Sequence, residues 1–378
     1  MLIDRTILHQ IQKSLNKAKI VTILYGPRQA GKTTLINKIA ETLDKQTYKQ
    51  YDGGDMYAQD VFGRPELSML RKEIGDARYI FIDEAQKIPN IGLTLKLIVD
   101  HLSTKIIASG SASFDLANKL NEPLTGRTDT LWLYPLSYEE IKNSFQQTSN
   151  MAIFDTLLRF GMFPKVHQLE GDEEKQKYLV EYVNAYLYND LLALGNIKKP
   201  KKVMDLLSML ALQIGQEVSV SELACALGLS HQTVDSYLDV LEKMFVVYNL
   251  RGLSRNLRKE INKTSKYYFW DLGLRNAIIR NFNSLSLRAD TGQMFENWFV
   301  MERIKFVSNS QKFANFYFWR TYDQKEIDLI EESGGRMLGF ECKWSETKKI
   351  KPPREWLKTY SNSEFIPINK ENFADNLI

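Results

Sequence analysis

The chain has only two cysteines, Cys225 and Cys342, so it carries neither a disulfide framework nor a cysteine-based zinc site. Its four histidines, His9, His101, His167 and His231, are scattered and show no metal-ligand spacing. Long apolar runs are also missing. None reaches the length of about 18 residues that a membrane span needs, so no membrane partner is expected. Asp4 and Arg5 intrude early and leave no apolar core for a signal peptide, which makes a cytoplasmic protein the expectation. A net charge of +4 is too small to diagnose a nucleic-acid partner, and the local distribution of charge has to decide that point. With 378 residues, 44% hydrophobic and 25% charged, the chain can bury a core, and its length suits roughly two or three domains.

What is present begins with Gly26-Pro27-Arg28-Gln29-Ala30-Gly31-Lys32-Thr33-Thr34, which fits the phosphate-binding pattern G-x-x-x-x-G-K-[ST]. Ile20–Tyr25 before it is β-branched and apolar, as a buried parallel strand should be. Leu35, Ile36 and Ile39 after it are spaced for a helix. Such a loop closes backbone N–H groups round phosphates at a helix N-terminus. Lys32 is expected to reach the β- and γ-phosphates of ATP, and Thr33 to offer its hydroxyl to Mg2+. A second strand, Arg78–Asp83, ends in Asp83 and Glu84 about 50 residues downstream, where Asp83 suits Mg2+ and Glu84 suits the attacking water. A third, Lys105–Ser111, ends in small residues, and Ser109 and Ser111 are candidates to approach the γ-phosphate. Arg127, before the apolar strand Thr130–Leu133, reads either as a residue that stabilises phosphoryl charge or as a surface arginine on a turn.

The runs GPRQAGKTTL, FIDEAQKIPN, ASGSAS, LTGR and PLSYEE together resemble a prokaryotic family of AAA-type ATPases. Members of that family typically carry a C-terminal domain similar to PD-(D/E)XK nucleases. The resemblance implies an α/β architecture with a P-loop ATPase core at 1–136 and a helical lid at 137–195. If Arg127 acts on a neighbouring subunit, a homo-oligomer is implied as well.

Residues 196–275 read as a winged helix. Ile197–Lys202 is a proline-broken basic run that suits a linker, and helical spacing follows from Met204. Ser219 caps a short helix ended by Gly228, and Ser230 caps the next, which is a helix-turn-helix spacing. Phe245–Val247 and Tyr267–Trp270 would supply the strands of the wing. The second helix shows an acidic outer face with Asp235, Asp239 and Glu242, which phosphates would repel. The wing region is basic, with Arg251, Arg255, Arg258, Lys259, Lys263 and Lys266, and suits contact with a DNA backbone or a plain solvated loop.

Residues 276–378 contain two alternating strands separated by Gly334-Gly335, a hairpin in which Ser333 pairs with Arg336. That register puts Asp328 opposite Glu341 and Glu326 opposite Lys343. Ile327, Leu329, Leu338, Phe340 and Cys342 would then form one core stripe on the other face. Asp328 with Glu341-Cys342-Lys343 matches D…E-x-K, in which two acids share Mg2+ and Lys343 assists the attacking hydroxide. Glu296, an acid among apolar neighbours, needs a partner. By resemblance it is the helical glutamate of the metal set, and Arg320 fits the same pattern. Two readings follow. One is an ATPase coupled to a DNA-directed, Mg2+-dependent nuclease-like module. The other is a nucleotide-controlled switch or scaffold that binds protein partners and whose nuclease-like domain is inactive.

Overall fold

The computed structural model describes residues 3–110, 124–145, 150–187, 197, 199–253, 265–321, 325–344 and 350–377. The chain divides into two compact units, one of residues 2–136 with 243–245, the other of 137–242 with 246–378.

The first unit is built on a parallel sheet of five strands, β1 (Val21–Tyr25), β2 (Tyr48–Asp52), β3 (Tyr79–Asp83), β4 (Lys105–Gly110) and β5 (Thr128–Trp132), in the order β2-β3-β4-β1-β5. β1 is buried along its whole length, and Ile80, Phe81 and Ile82 of β3 are fully enclosed. Continuous apolar runs suit strands that are covered on both faces. The helix Lys32–Glu41 packs Leu35, Ile36, Ile39 and Ala40 against Leu24, Phe81, Ile107 and Leu131. Because all five strands run the same way, Gly26, Asp83 and Gly110 come out at one edge of the sheet. The start of β5 lies at the other edge.

The second unit opens with Ser137, which caps the helix Tyr138–Ser144 in a reciprocal pair with Glu140. Asn150–Phe160 and Asp172–Glu181 are helical too. Pro200, expected within a linker, instead opens the helix Pro200–Leu212. A proline costs nothing in a first turn, where its missing N–H would have no partner. Next come the helix Val220–Leu227, closed by Gly228 at φ 63°, and the helix His231–Lys243, capped by Ser230.

Seven strands follow in one mixed sheet, ordered β12-β11-β10-β9-β7-β8-β6. They are β6 (Glu217–Val218), β7 (Val247–Gly252), β8 (Ser265–Phe269), β9 (Asn315–Arg320), β10 (Glu326–Ser333), β11 (Arg336–Cys342) and β12 (Ser363–Ile368). The sheet crosses the boundary drawn at residue 275, since β7 pairs in parallel with β9 through Arg251–Tyr317 and Gly252–Phe318. The hairpin β10–β11 has the expected register, with Ser333 opposite Arg336 and Leu329 opposite Phe340. The expected stripe does not hold for Ile327. A bulge against β9 between Ile327 and Ile330 turns both toward Trp319, Trp356 and Tyr360, because one extra residue reverses the alternation.

The long helix Thr291–Asn309 is fastened to β8 by Asn297, whose amide accepts from the Phe269 N–H at 2.7 Å and donates to the Phe269 carbonyl at 2.8 Å. Both bonds are buried. Asn297→Ala should lower the unfolding free energy by about 2–3 kcal/mol, read from the denaturant midpoint.

His167, partly buried in the turn Pro164–Gln168, lies 3.2 Å from the Gly161 carbonyl. Burial, aided by the charge of Lys175, pushes its imidazole down to about 4. The unfolded value is 6.5, so the contribution of His167 is intact above that pH and is lost as pH falls toward 4. His167→Gln should flatten this limb of a stability–pH profile measured by thermal unfolding.

Candidate functional site

The phosphate loop joins the end of β1 to the helix Lys32–Glu41. Gly26 is obligatory, because a Cβ there would lie 2.0 Å from the Leu133 carbonyl oxygen. Gln29 (φ 61°) and Gly31 (φ 96°) take left-handed conformations, which bend the loop back on itself. Pro27 and Ala30 are buried beneath it, Arg28 is half-buried, and Thr33 and Thr34 are exposed in the first helical turn. The Lys32 Nζ donates to the Gly26 and Pro27 carbonyls at 2.8 and 2.9 Å. The ammonium therefore already sits under the concavity that a phosphate would fill. The guanidinium of Arg5 pins the loop from outside by donating to the carbonyls of Ala30 and Tyr134, both at 2.7 Å. Sequence reasoning missed Arg5, since nothing local ties it to a loop about 20 residues further along.

Asp83 closes the site at the tip of β3. Its carboxylate accepts from the Thr33 and Ser109 hydroxyls and from the Glu84 N–H at 3.0 Å. Thr33 and Asp83 thus converge on one point. Their hard oxygen donors fit Mg2+, which uses one or two protein oxygens beside those of a phosphate. Glu84 has φ 48°, and its Oε2 accepts from the Gln86 side chain at 2.7 Å. Gly53 lies so close that a Cβ there would come within 2.4 Å of the Glu84 carbonyl oxygen. Ser111 lies outside the described residues.

Arg127 lies at the edge of the sheet opposite the loop. Its carbonyl accepts from the N–H of Val21, the first residue of β1, whereas the loop follows the last. Five residues of strand put about 16 Å between them. The guanidinium instead donates to Asp100 at 2.7 Å, a bond that holds the Asp100 carboxyl below its ordinary value. Within one chain, Arg127 does not reach the loop.

The second unit gathers the other expected residues, with one addition. Glu296 of the long helix, Glu326 and Asp328 of β10, and Glu341 of β11 form one carboxylate cluster. Lys266 of β8 enters it, with 2% of its surface exposed. Its Nζ lies 3.2 Å from Glu296 and 3.8 Å from Asp328, and it also pairs with Glu326. Sequence reasoning had placed Lys266 in the basic wing; it is enclosed and cannot meet a phosphate backbone. Arg255, Arg258, Lys259 and Lys263 lie outside the described residues. Tyr268 donates to Glu296 at 2.6 Å, the Cys342 N–H donates to Asp328 at 2.8 Å, and Lys343 donates to Glu341 Oε1 at 2.7 Å. Glu341 Oε2 is buried and lacks a hydrogen-bond partner. Burial, reinforced by the Asp328 charge, pushes Glu296 up to about 8 and Glu341 up to about 7. Burial opposes the charge of Lys266, yet Glu296, Asp328 and Glu326 more than offset it and raise its pKa. Arg320 is held by Glu217 and lies 3.9 Å from Glu326.

The expected metal set Glu296, Asp328 and Glu341 thus shares its space with the Lys266 ammonium. Among the described residues, no group of three or more His, Cys, Asp or Glu side chains could hold a metal ion. An ammonium already stands between Glu296 and Asp328.

Residues 18–142 match a family described as an AAA domain, residues 151–285 a domain of unknown function (DUF8612), and residues 291–372 another (DUF4143). An uncharacterized protein of Methanocaldococcus jannaschii is 24% identical over 95% of this chain and 83% of its own length. Among solved structures, the S. cerevisiae Hsp104–ADP complex aligns with a TM-score of 0.32 at 14% identity, over 65% of this chain and 39% of that one. No helix among the described residues is long and apolar enough to cross a membrane. An uncharacterized protein of Mycobacterium tuberculosis is 30% identical over 90% of this chain and 74% of its own length. This chain belongs to the family of that mycobacterial protein and carries an AAA domain in its first unit.

Proposed function

We propose that the chain binds and hydrolyses ATP in its first unit and uses the nucleotide state to control its second, as a switch or scaffold for a protein partner. The observation that carries the ATPase reading is the convergence of Lys32, Thr33, Asp83 and Glu84 on the edge where the glycine loop opens. The loop N–H groups and the Lys32 ammonium bind and orient the phosphates. Thr33 and Asp83 would hold Mg2+, which would neutralise phosphate charge. Glu84 accepts a proton from the attacking water, and Gln86 holds its carboxylate in place. Lys32→Ala should abolish ATP binding. Glu84→Gln should keep binding and lose turnover by about 100-fold or more. Retained turnover in Glu84→Gln would remove the base from this role.

Arg127 can serve the reaction only across a subunit boundary, which an AAA-type homo-oligomer would provide. Neither Arg127→Ala nor Glu84→Gln should turn over well alone, and an equimolar mixture should regain activity. No regain would return Arg127 to an ion pair with Asp100 and nothing more.

Two readings of the second unit remain, and Lys266 favours the scaffold over the Mg2+-dependent nuclease. The order helix, helix, glycine turn, helix and strand pair over residues 200–269 supports a winged helix. Its outer positions Asp235, Asp239 and Glu242 are exposed and acidic, which suits a protein surface better than DNA. Linear, supercoiled and single-stranded DNA incubated with Mg2+ or Mn2+, with and without ATP, should stay intact while ATP turns over. Cleavage that disappears in Asp328→Ala would restore the nuclease.

A further inference from the structure

We propose that Lys266 is a built-in cation that fills the carboxylate cluster of the second unit in place of a divalent metal. The cluster becomes a divalent-cation site only when a substitution removes this ammonium. The inference concerns the second unit alone and does not depend on nucleotide turnover in the first.

The distances belong to an ammonium. The 3.2 Å separation from Glu296 is that of an N–H···O bond, and the 3.8 Å separation from Asp328 that of an ion pair. A bound Mg2+ draws oxygens in to about 2.1 Å, and Ca2+ to about 2.3–2.6 Å. The side chain also comes from the right place. β8 lies in the same sheet as β10, separated from it by β7 and β9, and Lys266 reaches the hairpin carboxylates across those strands. The ring of Phe318, 5.7 Å from Nζ, stands against the ammonium from its apolar side. Glu296 and Glu326 accept from the ammonium, and the Asp328 charge stands nearby.

A metal cannot share this space. A second positive charge a few ångströms from a buried ammonium is strongly repelled, and Lys266 is enclosed too tightly to swing into solvent. Removal of the ammonium leaves a different site. Glu296 and Asp328 lose their shared counter-charge, and Glu341 Oε2, buried without a partner, becomes a third oxygen for an incoming ion. The donor set would then be hard carboxylate oxygens, which suit Mg2+ or Mn2+. Lys343 is already held by Glu341 Oε1 and leaves Oε2 available.

The test is Mn2+ binding to the nucleotide-free full-length protein by calorimetry and by the loss of the free-Mn2+ paramagnetic signal. Wild type and Asp328→Asn should bind Mn2+ alike, because Asp328 takes no part in a metal site while Lys266 is present. Lys266→Met should gain one equivalent, bound at least about tenfold more tightly than any in wild type. Lys266→Met combined with Asp328→Asn should lose it again. Lys266→Arg, which keeps the charge, should behave as wild type. Circular dichroism and thermal unfolding establish that each variant is folded. An equivalent of Mn2+ in wild type that disappears in Asp328→Asn would overturn the proposal, and this comparison stands even if Lys266→Met fails to fold. A folded Lys266→Met that gains nothing would overturn it equally.

Discussion

A lysine buried to 2% exposure must find its counter-charges inside the protein, and Lys266 finds them on two other elements. Glu296 comes from the long helix, and Glu326 and Asp328 come from β10. Removing one partner from such a buried set typically costs about 3–5 kcal/mol, because the remaining charge is left unmet. The pairs therefore fix how helix Thr291–Asn309 lies on the sheet and where β10 stops sliding against it. Asn297, one residue after Glu296, repeats the attachment with a neutral amide on the Phe269 backbone. Charge and amide together hold one turn of helix to one strand.

The first unit meets a similar need with fewer charges. Asp83 collects the Thr33 and Ser109 hydroxyls and the Glu84 N–H, so one carboxylate ties the ends of β3 and β4 to the first turn of the helix after the loop. That arrangement follows from parallel strands alone, since only a parallel sheet brings the ends of β1, β3 and β4 to one edge. It also explains why Arg127 lies away from the loop of its own chain. A residue that precedes a parallel strand is delivered to the opposite edge.

Much of this was legible in local patterns. The loop Gly26–Thr33, the carboxylates Asp83 and Glu84, and the hairpin register all depend on residues within one turn or one strand pair. Those relations are short-range and periodic. The partners of Arg127 and Lys266 were not legible for a common reason. Those partners, Asp100 and Glu296, are fixed by strand order and helix placement, which no local spacing encodes. Ile327 fell to a bulge, whose extra residue is invisible until the partner strand β9 is known. Pro200 was read as a break when it was a beginning, because proline looks the same at either end of a helix boundary.

The parallel join between β7 and β9 carries a consequence for biosynthesis. β7 ends at Gly252, and its partner β9 begins at Asn315. At a synthesis rate of about 5–20 residues per second, the nascent chain carries an unpaired β7 edge for several seconds before β9 emerges. The helices around β7 can form in that interval, but the seven-stranded sheet cannot close. The waiting edge is hydrogen-bond-hungry and borders Tyr248 and Leu250, so it needs shielding from its neighbours during that interval.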